Sequence, residues 1–225
     1  MTLHVHERGL LPSLEGASLI AFHILAPYMR GWRFRWGATP EDRQLVFPCD
    51  EVIAEPRWSY THAITIQAPQ ECVWPWLVQM GDGRAGLYSY ESLENLAGCK
   101  MNNRSEIVPE LQSLKLGDEI KLHDKIPGLP VIYLEPGRVL VIGGANGATD
   151  GAGATWGWLL QPGENGQTRL IERWRTVYPL TTANRLGYGQ LFVEPITFVM
   201  ARKMMLGIKA RAEALAQGTL VPQPA

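Results

Sequence analysis

Apolar and polar positions alternate along Tyr60-Thr61-His62-Ala63-Ile64-Thr65-Ile66, which places Tyr60, His62, Ile64 and Ile66 on one side and predicts a strand. After Pro69 the spacing changes. Val73, Trp76, Leu77 and Met80 fall at i, i+3, i+4 and i+7, one stripe of a helix. Pro69 suits the first turn and Glu71 its positive end, whereas Pro75 is expected to bend the helix or divide it. A flexible turn, Gly81 to Gly86, leads to Ser89 as a helix cap. A short helix then runs through Leu93 and Leu96 to a stop at Gly98. Residues 99–117 show no period.

Beyond residue 117 the period returns to two. Strands are expected at Glu119–Leu122, Val131–Leu134, Val139–Ile142, Thr155–Gln161 and Thr168–Tyr178. Pro127-Gly128, Pro136-Gly137 and Glu164-Asn165-Gly166 are turn signals between them, so the strands form an antiparallel meander. The Gly/Ala tract 143–154 lacks the spacing of a phosphate cradle and is expected to be a hairpin loop. From Gln190 to Gln217 the period is helical again: Phe192, Ile196, Val199, Met200, Met204, Ile208, Ala212 and Leu215 form a stripe. Pro195 should restrict the regular helix to the residues after it, or kink it.

At the other end, Gly16 to Met29 is an apolar run interrupted by His23 and Pro27, followed by Arg30, Arg33 and Arg35 among Trp32, Phe34 and Trp36. Fourteen residues are too few to span a bilayer as a helix, which takes about 20. Two roles fit the run: a helix packed on the domain or on a second copy of the chain, or an interfacial membrane anchor. Residues 37–58, with Pro40, Pro48 and Pro56, are expected to form an irregular connector. The order of elements predicts an α+β helix-grip fold, a curved antiparallel sheet wrapped around a long C-terminal helix, preceded by an N-terminal helical arm. The expected divisions are an arm and connector over 1–57, a helix-grip domain over 58–217 and a tail over 218–225. Residues 1–36 are expected to be removable without loss of a cooperative melt.

The strand Tyr60–Ile66 followed by Ala68-Pro69-Gln70-Glu71-Cys72-Val73-Trp74-Pro75-Trp76-Leu77-Val78-Gln79-Met80-Gly81 resembles the opening of SRPBCC proteins. These are the START-like, birch-pollen-allergen-like superfamily, and the similarity is to its polyketide cyclase/dehydrase-like branch. Gly83 to Glu91, Leu93 to Leu96 and Leu116-Gly117-Asp118-Glu119 resemble segments of uncharacterised bacterial members, as does the Met200–Ala212 helix. The resemblance covers about residues 58–216. It implies a cavity between sheet and helix, but the superfamily holds lipid carriers, receptors, cyclases and oxygenase domains, so it names no activity.

Composition narrows the choice. A formal net charge of -1 gives no electrostatic pointer to nucleic acid. Cys49, Cys72 and Cys99 are few, odd in number and without metal spacing, which fits reduced thiols in a cytoplasmic protein. His4 and His6 could jointly ligate a metal, but such a pair arises readily by chance, and no metal or cofactor is expected. Eight tryptophans, three pairs of them local, supply aromatic area for a core or for a pocket wall. No nucleophile elbow, zinc motif or paired carboxylate at a telling spacing is present.

The candidate chemistry is therefore local. His62 is either a structural histidine or, facing a cavity, a general base. Arg84, Tyr88 and Tyr90 form a polar and aromatic gate with Glu94, able to hold a carbonyl or enolate oxygen; alternatively Arg84 pairs with Glu91 or Glu94 and the tyrosines cap the core. Trp76, Met80, Trp156, Trp158, Val199 and Met200 are expected cavity-lining residues, and Arg173 joins them if its face of the last strand is concave. The expected function is binding of a hydrophobic or amphipathic small molecule such as a lipid, polyketide or aromatic metabolite. The alternatives are a cyclase or dehydrase, and a membrane-peripheral or dimeric scaffold using residues 16–36.

Overall fold

The computed structural model describes residues 9–48, 50–144, 152–189 and 191–218. In chain order come α1 (Leu10–Leu25), α2 (Arg30–Arg33), α3 (Pro40–Gln44), β1 (Trp58–Ile66), α4 (Gln70–Val78) and α5 (Glu91–Leu96). Then come β2 (Glu119–Ile120), β3 (Leu129–Glu135), β4 (Val139–Gly144), β5 (Gly153–Pro162), β6 (Thr168–Val177), α6 (Thr182–Tyr188) and α7 (Val193–Ala216). The strands form one curved antiparallel sheet in the order β1-β6-β5-β4-β3-β2. The helix-grip architecture expected from the periodicities is present.

Register decides which side chains share a face. Tyr60, His62 and Ile64 of β1 lie opposite Trp174, Glu172 and Leu170 of β6, which lie opposite Trp156, Trp158 and Leu160 of β5. This is the concave face. Ile66, Trp158, Leu160 and Leu170 pack there against Trp76 and Leu77 of α4 and against Met204, Met205 and Ile208 of α7. Pro75 neither divides α4 nor stops it. Pro195 sits in the first turn of α7, where its missing N–H has no intrahelical partner to lose, and the helix runs unbroken to Ala216.

The convex face is buried as well, by the segment whose sequence is irregular. Phe47, with Ala38 and Leu45, covers Ala63, Val139, Val141, Leu159 and Ile171. Burial on both sides explains why Val139-Leu140-Val141-Ile142 is a continuous apolar run instead of an alternating one. Three arginines of β6 hold this cover in place. Arg173 donates to the Leu45 carbonyl at 2.6 Å, to Asp50 Oδ2 at 2.7 Å and to the Arg43 carbonyl at 3.1 Å, with its guanidinium 4.4 Å from the centre of the Phe47 ring. Arg175 donates to the Ile53 and Ala54 carbonyls, and Arg169 to Gly37 O and Asp42.

The arm is bonded into the sheet edge. The Thr61 and Ala63 amides donate to the Phe34 and Trp36 carbonyls at 3.0 and 3.1 Å, so residues 34–36 satisfy donors that an edge strand would leave open. Gly37 follows at φ +69, and a Cβ there would lie 2.0 Å from the Ala63 carbonyl oxygen; only glycine permits the approach. Further back, α1 lies across α5 and α7. Its Gly16 meets Leu93 and Tyr90 so closely that a Cβ would come within 2.6 Å of Leu93 Cδ1.

Two other differences from the sequence reading are local. Helix α5 starts at Glu91 with Tyr90 at the cap position and no side-chain cap, and the Ser89 hydroxyl is directed to α7, donating to the Met200 carbonyl at 3.2 Å. Helix α6, for which residues 179–189 offered no apolar period, is started by Thr181, whose side chain accepts from the Asn184 amide. The tract 143–154 falls largely outside the described residues; β4 reaches Gly144 and β5 starts at Gly153. The pair His4 and His6 and the tail beyond Gly218 also fall outside them.

With residues 34–36 pairing to β1, the structure argues against a removable arm. Deletion of residues 1–36 is expected to lower the melting temperature by more than about 10 °C or to abolish the cooperative transition. A truncated chain that melts cooperatively within a few degrees of the intact one would show that these contacts carry no stability.

Candidate functional site

A cavity of about 640 Å³ lies between the sheet, α7, the 87–101 segment and α1. Trp156 and Trp174, crossing at a ring distance of 5.6 Å and 75°, form its floor. Ile196, Thr197, Met200, Ala201 and Met204 of α7 make one wall, and Leu87, Ser89, Leu93, Glu94, Ala97, Cys99, Met101 and Leu122 another. Ala17, Ile20, Ala21 and Ile24 of α1 close it from above. Ala17, Ala21 and Ala97 are exposed to solvent and mark the mouth.

Behind the floor is a buried polar network. Glu172 is fully buried and accepts from Trp156 Nε1 at 2.6 Å and from the Tyr60 hydroxyl at 3.0 Å; its second oxygen is 3.2 Å from His62 Nδ1. His62 Nε2 is 2.7 Å from the Arg33 carbonyl, which can only accept, so Nε2 carries a proton. Nδ1 faces the second Glu172 oxygen, so both ring nitrogens are held within the network. The Tyr60 ring stacks on the imidazole at 3.9 Å, and burial, then the Glu172 charge, pushes the Tyr60 phenol well above its ordinary range. The network connects the cavity floor to the arm, since Arg33 in turn donates to the His23 and Ala26 carbonyls.

The residues singled out in the sequence are dispersed among these layers. Trp156 and Met200 line the cavity. Trp76, Met80 and Trp158 are in the main core beneath it, and Val199 packs with Tyr90 and Phe198 under α1. His62 has both ring nitrogens engaged and stands behind the Trp156 wall, which leaves no nitrogen for a substrate. Arg173 is on the convex face under the connector, away from the cavity.

The gate is the largest rearrangement. Arg84 pairs with neither Glu91 nor Glu94. It donates to the Met80 and Val78 carbonyls at 3.0 and 2.8 Å, capping the negative end of α4. Tyr88 adopts a left-handed backbone at φ 57 and donates its hydroxyl to the Trp76 carbonyl, with the Arg211 guanidinium 4.5 Å from its ring centre. Tyr90 donates to Glu15 of α1 at 3.2 Å, and burial followed by the Glu15 charge pushes its phenol up to about 12. From this segment Leu87, Ser89, Leu93 and Glu94 reach the cavity instead.

Sequence reasoning missed the α1 wall, although the 17, 20, 21, 24 spacing is a helical stripe and carried the signal. Glu94 belonged to the expected gate and does reach the cavity, whereas Cys99, Thr197 and Trp174 had no such pattern, because a loop, α7 and β6 bring them together. Cys72 and Cys99 are free thiols. Burial first, then the charges of Glu94, Asp82 and Asp124, pushes the Cys99 thiol from 9.0 up to about 11. Among the described residues no group of three His, Cys, Asp or Glu side chains could hold a metal ion.

Comparison with known proteins assigns no family. No family model matches the chain, and no curated protein does. Solved structures with some likeness include a protein from Nitrosospira multiformis, at 14% identity and a TM-score of 0.43 over 71% of this chain and 99% of that one. The Aha1 dimer from Colwellia psychrerythraea gives 20% identity and a TM-score of 0.42 over 72% and 98%. MLL2253 from Mesorhizobium loti gives 16% and 0.34 over 63% and 96%.

Because its thiolate is suppressed, Cys99 is expected to react with iodoacetamide at pH 8 about 100-fold more slowly than a free thiol, from thiolate fractions of about 0.1% against about 10%. The rate should climb as pH rises towards 11. Peptide mass spectrometry monitors the site, and alkylation at the rate of glutathione would contradict the environment described.

Proposed function

We propose that the chain binds a small molecule with an apolar body in the cavity beneath α1. The observation that carries this is the cavity itself: about 640 Å³, walled mainly by aliphatic side chains, methionines and two tryptophans. Pockets for small ligands are of this size and character. The reading agrees with the SRPBCC resemblance over residues 58–216, in which sheet and C-terminal helix enclose a ligand. A cyclase or dehydrase finds less support, since His62, Arg84, Tyr88 and Tyr90 are committed to structural hydrogen bonds outside the cavity.

Nile red, an uncharged dye that brightens in apolar surroundings, provides the test. It should bind the intact protein saturably, with one site per chain. Ala17→Trp, at an exposed position on the mouth, is expected to weaken binding at least about tenfold while leaving the melt unchanged. Binding that ignores this substitution would place the dye elsewhere and remove the support for the cavity reading.

A second reading concerns the outer surface. Leu10, Leu11, Leu14, Phe22, Leu25 and Tyr28 are all exposed along α1 and just after it, Leu25 at 81% and Tyr28 at 82%. No single helix among the described residues is long and apolar enough to cross a membrane; Leu10–Leu25 and Pro27–Arg33 together meet that test but are bent by 93°. We propose that this apolar face lies on a lipid surface, which would set the mouth beside the source of an apolar ligand. The protein should float with phosphatidylcholine vesicles, and Leu25→Asp with Tyr28→Asp should keep it in the soluble fraction. Failure to float, with a dimer appearing by light scattering, would assign the face to a second copy.

A further inference from the structure

A second, charged pocket of about 390 Å³ opens between α6 and the first turn of α7. We infer that it is a headgroup site for an anionic phospholipid, in which Arg57 and Arg185 hold the lipid phosphate while leucines at its rim enter the apolar layer. The inference deepens the lipid-surface reading of the α1 face and is carried by different residues.

Arg30, Arg57 and Arg185 line this pocket, and Glu194 is the one acid among its described lining residues. Arg30 is committed to that acid, donating from Nε at 2.8 Å and from Nη2 at 3.0 Å. The buried Glu194 charge is thereby matched, which leaves the other two guanidiniums in excess. The Arg57 side chain commits only its Nε–H, to the Tyr178 carbonyl at 3.3 Å. Among the described residues Arg185 makes no hydrogen bond or ion pair, and both side chains are exposed. The Tyr178 hydroxyl lies by Gly189, another lining residue, where a Cβ would be 3.8 Å from it. Burial, then the Glu194 charge, holds this phenol above its ordinary range, so it stays protonated and can donate.

Planar guanidinium forks bind phosphate oxygens two at a time, and a pair of them suits the several oxygens of a phosphate better than a lone carboxylate. The rim identifies the source as a lipid. Leu180 and Leu191 line the same pocket yet are 51% and 46% exposed, and Leu186, Tyr188 and Phe192 beside them are exposed as well. A site for free phosphate gains nothing from apolar side chains held out in water. At a bilayer surface those side chains become buried next to the headgroup that the arginines hold. Tyr28, two residues before Arg30, belongs to the exposed α1 face, so the pocket continues that face.

Flotation of the full chain with two kinds of vesicle reads the pocket. Vesicles of phosphatidylcholine containing about 25% phosphatidylglycerol should bind at least about tenfold more tightly than pure phosphatidylcholine. The formal net charge of -1 makes this a local expectation, since the overall charge supplies no attraction. Arg57→Gln with Arg185→Gln should bring binding to within about twofold of the pure phosphatidylcholine level, with the melt unchanged. Lys115→Gln with Lys125→Gln removes the same charge beside β2, at the opposite edge of the sheet from β1, and should leave the preference intact. Equal binding of the intact protein to both compositions overturns the inference, whether or not the arginine variant folds. An equal loss in the lysine variant overturns it too. Calorimetry with inorganic phosphate should show no saturable binding below about 1 mM, because the rim contacts are missing. Tighter binding, lost in the arginine variant, would give the pocket to free phosphate and overturn the lipid source. Failure to float on pure phosphatidylcholine, with phosphatidylglycerol vesicles still bound, would bring down the α1 reading alone.

Discussion

A carboxylate sealed inside the sheet is the constraint around which this molecule is arranged. Glu172 has no access to water, and an unsatisfied carboxylate in such a place would cost several kcal/mol. Its acceptors are met from three directions: Trp156 on β5, Tyr60 on β1 and His62 two residues further along the same strand. The requirement does not stop there. His62 Nε2–H needs an acceptor, and the Arg33 carbonyl of the arm supplies it. One buried charge thus fixes the orientation of a tryptophan in the cavity floor, the register of β1 against β6 and the course of the arm.

The same strand that carries Glu172 carries the arginines of the opposite face. Alternation along β6 sends Leu170, Glu172 and Trp174 to the concave side and Arg169, Arg173 and Arg175 to the convex side. The convex arginines would be solvated on an open sheet. Here they thread into backbone carbonyls of residues 37–54, so a segment with little secondary structure of its own becomes a covering layer. Guanidinium suits the task, because its planar fork donates to several carbonyls at once without being deprotonated.

These structural commitments leave the cavity apolar. Arg84, Tyr88 and Tyr90, the polar side chains nearest to it in sequence, are each turned to a carbonyl or to the arm. The cavity keeps aromatic and aliphatic walls with a narrow polar edge at Ser89, Glu94 and Cys99. Its roof belongs to α1, held by the close contact at Gly16 and by the Tyr90–Glu15 hydrogen bond. The arm is therefore part of the cavity's wall.

The sequence by itself determined the elements and their order. Period-two alternation, the stripe at 73, 76, 77 and 80 and the long helical period after residue 190 all reflect one-sided burial, a local signal. That is why sheet, α4 and α7 were legible. Which face of β6 is concave was not, because Glu172 and Arg173 are both charged and both buried; only the partners tell them apart, one from Tyr60, His62 and Trp156, the other from residues 42–50. Nor could spacing reveal that Tyr88 and Arg84 would be used by carbonyls at 76, 78 and 80, since such bonds depend on how a turn folds back. The tertiary structure alone decided that α1 roofs the cavity, because its stripe at 17, 20, 21 and 24 specifies a buried face without specifying what it covers.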